Sequence, residues 1–172
     1  MKHPIGQTLS GIDVYVDLIK SQAARHIAEQ PHLLGLVKEV IAYISPRGPE
    51  VIIERDMKRP IGYDFIVEST DKDTIFYAQI TKDKNITRFV KNGKPTSTQY
   101  LTVILRRDAE DSTYELHDAW IGRIKPAQSG SADETTESKS YWTDHAVVYA
   151  NQTLQTSTIS KSLPDQEVAA VA

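Results

Sequence analysis

The chain has 172 residues, of which 40% are apolar and 25% are charged, and its formal net charge is −3. This length favours one domain with a core that buries roughly 70% of the unfolded surface. Because cysteine is absent, disulfides, thiolate metal sites and cysteine nucleophiles are excluded. No stretch approaches the length of a membrane span, and the N-terminus lacks the apolar core of a signal peptide, so we expect a cytoplasmic protein without membrane contact.

Two helices are predicted near the N-terminus, after an irregular arm over residues 1–9. The first begins at Ser10, which has a capping-box spacing with Asp13. Its apolar residues follow at helical intervals: Ile12, Val16, Ile19, Ala23 and Ile27. The second begins at Pro31 and presents an apolar stripe from Leu33 to Ile44 before a proline- and glycine-containing stop at residues 45–49.

The apolar period then changes from 3.6 to 2, which is typical of strands. Strands are expected over residues 51–54, 63–67, 74–81, 86–91, 99–107, 114–121 and 146–150, with a last edge strand over 154–159. Asn92-Gly93 predicts a hairpin between two of them, and the polar residues 125–140 predict a long surface loop. The expected fold is α+β: two N-terminal helices packed on an antiparallel meander sheet of about six strands. It forms a single domain over residues 1–160, followed by a flexible C-terminal tail over residues 161–172.

Positive charge is concentrated in residues 82–107, where seven lysines and arginines accompany one aspartate. On the strand over residues 86–91, Phe89 is the natural core residue, so Arg88 is expected on the exposed face. Tyr100 can stack on a base or donate its hydroxyl, and cations neutralise phosphates. The RNA-binding cations on this surface would include Lys91, Lys94 and Arg106. The alternative is that these lysines protect exposed strand edges against aggregation.

A histidine in the middle of the strand over residues 114–121 is the candidate general acid or base. His117 is expected to share its face with Glu115 and Ala119. Because adjacent strand residues face opposite sides, Asp118 is not expected to orient His117. The alternative is a half-buried histidine that is hydrogen-bonded to a neighbour.

Two aromatic residues follow the polar loop. Trp142 and His145 lie at the expected loop-to-strand junction, where they can line a cleft; alternatively Trp142 anchors the core and His145 is exposed. No pair of histidines has the spacing of a zinc site on one helix. We therefore expect neither a metal nor a cofactor.

The order of helices and strands, the basic middle strands and the sequence LHDAWIG at residues 116–122 resemble the barnase/EndoU/colicin E5–D/RelE-like ribonuclease superfamily. Its members are small metal-independent ribonucleases and are often toxins. The resemblance covers residues 33–124. It implies that His117 has the catalytic role of the closing strand and that Arg88 or Lys91 has the cationic role.

These observations predict a metal-independent RNA-cleaving or RNA-binding protein of toxin or defence type. The expected catalytic residues are His117, Arg88 and Tyr100. The expected substrate contacts are Lys91, Lys94, Arg106, Trp120, Arg123, Trp142 and His145. One alternative is a non-catalytic protein-binding module, such as an immunity or accessory protein, that docks a basic partner on its acidic surface. Another is a small-molecule enzyme with a pocket formed by Trp120, Trp142 and His145.

Overall fold

The computed structural model describes residues 1–81, 84–150 and 152–163, and it confirms the α+β class. Within those residues the elements are β1 (Lys2–Gln7), β2 (Asp13–Asp17), α1 (Gln22–Glu29), α2 (Leu33–Ala42), β3 (Glu50–Asp56), β4 (Gly62–Asp64), β5 (Ile66–Glu68), β6 (Ile75–Gln79), β7 (Ile86–Val90), β8 (Thr96–Thr98), β9 (Tyr100–Asp108), β10 (Thr113–Ile121), α3 (Thr136–Asp144) and β11 (His145–Val148). A short 3-10 turn, Thr156–Thr158, follows. The predicted tail, from residue 164 onward, lies outside the described residues, as do Lys82 and Asp83 of the predicted basic segment.

The contacts divide the chain into two compact units, each built from two stretches of sequence. Unit 1 comprises residues 1–63 and 97–124, and unit 2 comprises residues 64–96 and the described residues from 125 onward. The short strands β4 and β8 pair with each other as a separate ribbon. The prediction of one domain over residues 1–160 stays a prediction.

Unit 1 is a five-stranded sheet with the order β1-β2-β10-β9-β3, and helices α1 and α2 pack on it. Its pairings are antiparallel except for the short parallel pairing of β10 with β2. Alternate strand residues and the apolar stripe of α2 meet in one core, because each has a single apolar face to bury. The largest fully buried members of that core include Leu33, Ile41, Leu101, Leu105, Tyr114 and Leu116.

Unit 2 is a four-stranded sheet with the order β5-β11-β7-β6. Strand β11 pairs parallel with β7 and antiparallel with β5, so it lies between two strands that come earlier in the chain. Phe76 and Phe89 stack at 5.2 Å between ring centroids in its interior. The chain after β11 returns along β6 through isolated bridges at Leu154 and Ser160 and the 3-10 turn, instead of the predicted edge strand.

The predicted first helix is wrong in its first half, and the predicted arm before it is a strand. Residues 2–7 form β1, and residues 13–17 form β2, where Val14 and Val16 are fully buried. Apolar residues at positions 12, 14 and 16 fit a period of 2 as well as a helical spacing, and valine favours strands. The helix begins only at Gln22, and its N-cap is Ser21, not Ser10. The second helix is confirmed as α2, although Pro31 precedes it.

The predicted meander is also incorrect. Among the described residues, strands that follow each other in the chain pair as hairpins in three cases: β1 with β2, β6 with β7 and β9 with β10. The other pairings join strands that are far apart in the chain, and two of them are parallel. The hairpin predicted at Asn92-Gly93 does not form, because β7 and β9 belong to different sheets. The predicted polar loop ends in helix α3, which begins with a capping box at Thr135.

Candidate functional site

His117 lies in a bulge of strand β10. Leu116 is opposite Leu105 on β9, whereas Asp118 is opposite the next residue, Ile104, so His117 has no residue opposite it. The buried positions of β10 change at this point from Tyr114 and Leu116 to Ala119 and Ile121. The predicted alternation, with His117 on the same face as Glu115 and Ala119, therefore fails, because the bulge inserts one extra residue.

The bulge places Asp118 against helix α1. Its Oδ1 atom lies 3.0 Å from Nδ1 of His26, and the same oxygen accepts a hydrogen bond from the backbone N–H of Ala119 at 2.8 Å. The Asp118 side chain is 12% exposed and the His26 side chain is 25% exposed. Nε2 of His26 lies 3.4 Å from Nη2 of Arg25. A carboxylate fixed in this way orients the imidazole and favours the tautomer with the proton on Nδ1.

Ser21 connects the start of helix α1 to the same bulge. Its hydroxyl lies 2.8 Å from the carbonyl oxygen of Leu116 and 3.0 Å from that of His117, and it also accepts from the N–H of Ala23. Strand β2 pairs with β10 only at Tyr114 and Glu115. The carbonyl groups that follow on the β2 side of β10 therefore need another partner. The N-cap hydroxyl supplies it, and this fixes the position of α1 and therefore of His26.

The other predicted residues of unit 1 lie on β9, on β10 and just after Gly122. The Arg123 guanidinium lies 4.5 Å from the Tyr100 ring centroid, and its Nε donates to Glu54 at 3.0 Å. That hydrogen bond raises the pKa of Arg123. Trp120 donates to the Arg123 carbonyl at 3.1 Å, and Arg106 donates to Glu50 at 2.7 Å. Both predicted cations are therefore paired with carboxylates.

Three predicted residues meet in unit 2. Arg88 is half-buried, not exposed as predicted, because Nη1 donates to Ser69 Oγ at 2.5 Å and to the His145 carbonyl at 2.9 Å. Trp142 is a buried residue of α3, and its Nε1 donates to the Pro126 carbonyl at 3.2 Å. The loop-to-strand junction expected at Trp142 is thus a helix.

His145 is held by Tyr141, one turn earlier in the chain. Its ring stacks on that of Tyr141 at 3.9 Å between centroids, and its Nδ1 lies 2.9 Å from the Tyr141 carbonyl oxygen. Burial raises the pKa of the Tyr141 hydroxyl. The two predicted lysines of this unit, Lys91 and Lys94, are exposed, and Nζ of Lys91 lies 5.8 Å from the Phe76 ring centroid.

The predicted catalytic residues are thus distributed over two units: His117 and Tyr100 belong to unit 1, and Arg88 belongs to unit 2. The shared role predicted for them stays a prediction. The His26–Asp118 pair was missed because its partners are 92 positions apart and lie on different types of element. The position of the bulge, which makes the pair, has no local signal in the sequence.

No protein-family model, curated protein sequence or solved structure matches this chain. Among the described residues, no group of three or more histidine and carboxylate side chains is arranged to hold a metal ion. No helix in the described part of the chain has both the length and the apolar character needed to cross a bilayer.

Proposed function

We propose that the chain cleaves RNA without a metal and that His26, oriented by Asp118, is the general base. The observation that supports this is the 3.0 Å contact between His26 Nδ1 and the largely buried Asp118 carboxylate, next to the histidine of the closing strand. A carboxylate-oriented imidazole is suited to proton transfer near neutral pH. Bulges are frequent beside active sites, since they redirect side chains.

In the proposed reaction, Nε2 of His26 takes the proton from a ribose 2′-hydroxyl. The 2′-oxygen attacks the adjacent phosphorus, the bond to the 5′-oxygen breaks, and His117 gives a proton to that leaving oxygen. The products are a 2′,3′-cyclic phosphate and a free 5′-hydroxyl. Arg25 lies 3.4 Å from His26 Nε2 in the structure. In the proposed complex its guanidinium leaves Nε2 to the 2′-hydroxyl and stabilises charge on the phosphorane. His117 keeps the catalytic role that the superfamily resemblance implies, whereas the proposed general base, His26, lies on α1. A toxin or defence role stays a prediction.

The test is incubation of the purified chain with total RNA and with transfer RNA in the presence of EDTA, followed by a denaturing gel. Substitution of His26 by Ala should lower the rate by roughly 100-fold or more, which is the usual contribution of a general base. Asp118→Asn should lower it by roughly tenfold or more, because the amide no longer favours the same tautomer. His117→Ala should also lower it. A labelled dinucleotide substrate would identify the cyclic phosphate.

His32→Ala is the matched control, because His32 is exposed and its side chain makes no capping hydrogen bond to α2. It should cleave RNA at the wild-type rate. Thermal unfolding of every variant separates loss of chemistry from loss of folding. A folded His26→Ala variant that cleaves RNA like wild type would contradict the assignment of the base. No cleavage by wild type at micromolar concentration would overturn the proposal and favour the protein-binding alternative.

A further inference from the structure

Unit 2 contains a cavity of about 610 Å³ that the RNA-cleavage proposal does not use. Its volume is in the range of small-molecule sites. The described residues that line it combine charge with flat apolar surface, and they include Tyr77, Ile86, Arg88, Glu134, Lys139 and Trp142. All of them belong to unit 2.

Arg88 is fixed in the wall of this cavity. Its Nη1 atom is committed to Ser69 and to the His145 carbonyl, and both partners are neutral. No ion pair among the described residues includes Arg88 or the other lining cation, Lys139. This distinguishes them from Arg106 and Arg123, whose charges are compensated by carboxylates. A half-buried guanidinium that pairs with none of the described carboxylates favours an anion from outside.

The cavity also offers aromatic surface. Trp142 is 7% exposed, and its N–H is already used by the Pro126 carbonyl, so the small part of its ring that faces the cavity is available for apolar contact. Tyr77 is half-buried on β6, the neighbour of the strand that carries Arg88. Aromatic rings beside cations are suited to ligands that carry both a base and a phosphate.

The loop over residues 126–130, which contributes Ser129 and Gly130 to the lining of the cavity, is held in place by hydrogen bonds to strand β7. The Ile86 N–H donates to the Ser129 carbonyl at 2.8 Å, and the Thr87 hydroxyl donates to the Gln128 side chain at 2.8 Å. These bonds and the Trp142 contact fix residues 126–130 before any ligand binds. A site that is formed in advance needs less ordering when it binds.

We propose that this cavity binds a nucleoside monophosphate unit, either free or as part of an RNA strand. Its phosphate would meet Arg88, with Lys139 adding positive charge, and its base would lie against Tyr77 and Trp142. The described lining residues include two cations and one carboxylate, Glu134, and their net charge is therefore +1. This small excess suits one phosphate group better than a triphosphate.

Calorimetric titration of the full chain tests this binding separately from cleavage. The ligands are the four nucleoside monophosphates, the four nucleosides, inorganic phosphate, and a short RNA with non-cleavable 2′-O-methyl linkages. Saturable binding of a monophosphate, tighter than that of its nucleoside and of inorganic phosphate, is expected. Tighter binding of the short RNA would show that the bound unit belongs to an RNA strand. Binding of the monophosphate but not of the short RNA would show that the ligand is a free nucleotide. Equal affinity for inorganic phosphate and the monophosphates would overturn the proposal.

Substitutions test which charged side chains of the cavity contribute to monophosphate binding. Arg88→Ala should weaken monophosphate binding by roughly tenfold or more, the loss expected for a charged hydrogen bond, and Arg88→Lys should restore part of it. Lys139→Ala should weaken binding and Glu134→Gln should strengthen it, each severalfold, and these side chains do not hold Ser69 or His145 in place. Arg107→Ala, an exposed cation of unit 1, is the charge-matched control and should bind like wild type.

The aromatic contact has its own readout. In a Trp120→Phe background, Trp142 is the remaining tryptophan, so quenching of its fluorescence on titration reports contact in the cavity. The proposal predicts quenching by the monophosphates that saturates at the calorimetric affinity. Lys139→Ala and Glu134→Gln proteins with the affinity of the Arg107→Ala control, or a fluorescence that no monophosphate changes, would overturn it.

Discussion

At the scale of single residues, the ion pair between Lys125 and Asp64 is the most enclosed lysine–carboxylate pair among the described residues. Nζ lies 2.6 Å from Oδ2, and the two side chains are 20% and 14% exposed. Asp64 also accepts a hydrogen bond from the N–H of Ile66 at 3.0 Å. Because both groups are largely removed from water, loss of one partner should cost more than loss of an ordinary surface pair.

We therefore expect Lys125→Met to lower the free energy of unfolding by about 1–3 kcal/mol, since it leaves Asp64 without its cation. Urea unfolding measures this change. The control is Lys58→Met, whose pair with Asp56 has a lysine side chain that is 82% exposed; its cost should be below about 1 kcal/mol. The double variant Lys125→Met with Asp64→Asn should recover part of the loss. Equal effects of Lys125→Met and Lys58→Met would contradict the expectation.

At the scale of elements, Asp17 shapes the turn that joins strand β2 to helix α1. Its carboxylate accepts hydrogen bonds from the N–H groups of Ile19 at 2.9 Å and Lys20 at 3.0 Å, and the amino group of Met1 lies 3.3 Å away. The two backbone bonds, more than the amino group, lower the pKa of Asp17 to about 2. The ionised carboxylate thus stabilises the turn over residues 18–20, which separates strand β2 from helix α1.

The lowered pKa predicts how stability depends on pH. In the unfolded chain Asp17 titrates near its ordinary value of 3.8, so the ionised carboxylate stabilises the fold above about pH 4. That contribution should be lost as the pH falls through about 2, and it is absent below that pH, where both states are protonated. Melting temperatures of wild type and Asp17→Asn should differ most near pH 7 and converge toward pH 2. Asp71→Asn, at an exposed turn, is the control. A difference that is constant with pH would contradict the role of the charge.

The sequence could predict some of the elements but not those around this turn. Strands β3, β6, β7, β9, β10 and β11 and helix α2 follow from local patterns, because their apolar periods have one interpretation. Residues 12–17 have two, and the position of β2 between β1 and β10, where Val14 and Val16 are buried, decides between them. That position results from tertiary packing, which overrides a local preference.

At the scale of the whole molecule, the strand order could not be predicted from the sequence, because it depends on contacts between distant segments. Strand β11 lies between β5 and β7, and β10 joins β2 to β9. No turn signal encodes such pairings. The same limit applies to the sites. Arg88 was predicted as a catalytic residue and Trp142 as a substrate contact, but the cavity that they line needs helix α3 and the residues around Ser129. His26 and Asp118 meet only because β10 bulges at His117.

The strand order predicts which backbone amides exchange most slowly with solvent. Strand β9 pairs along its length with β3 on one side and β10 on the other, and β7 lies between β11 and β6. In a central strand every N–H has a strand partner, whereas in an edge strand alternate N–H groups point away from the sheet. Exchange at central strands therefore requires wider opening than exchange at an edge.

Hydrogen exchange followed by mass spectrometry should find the slowest peptides of unit 1 in β9 and those of unit 2 in β7. Peptides from the edge strand β1 should exchange faster than those from β9, since β1 pairs only with β2. Peptides over residues 154–160 should exchange faster than those from β7, because isolated bridges hold this segment to β6. Protection of β1 equal to that of β9 would contradict the strand order, since an edge strand of this sheet can open without breaking the pairing of β9.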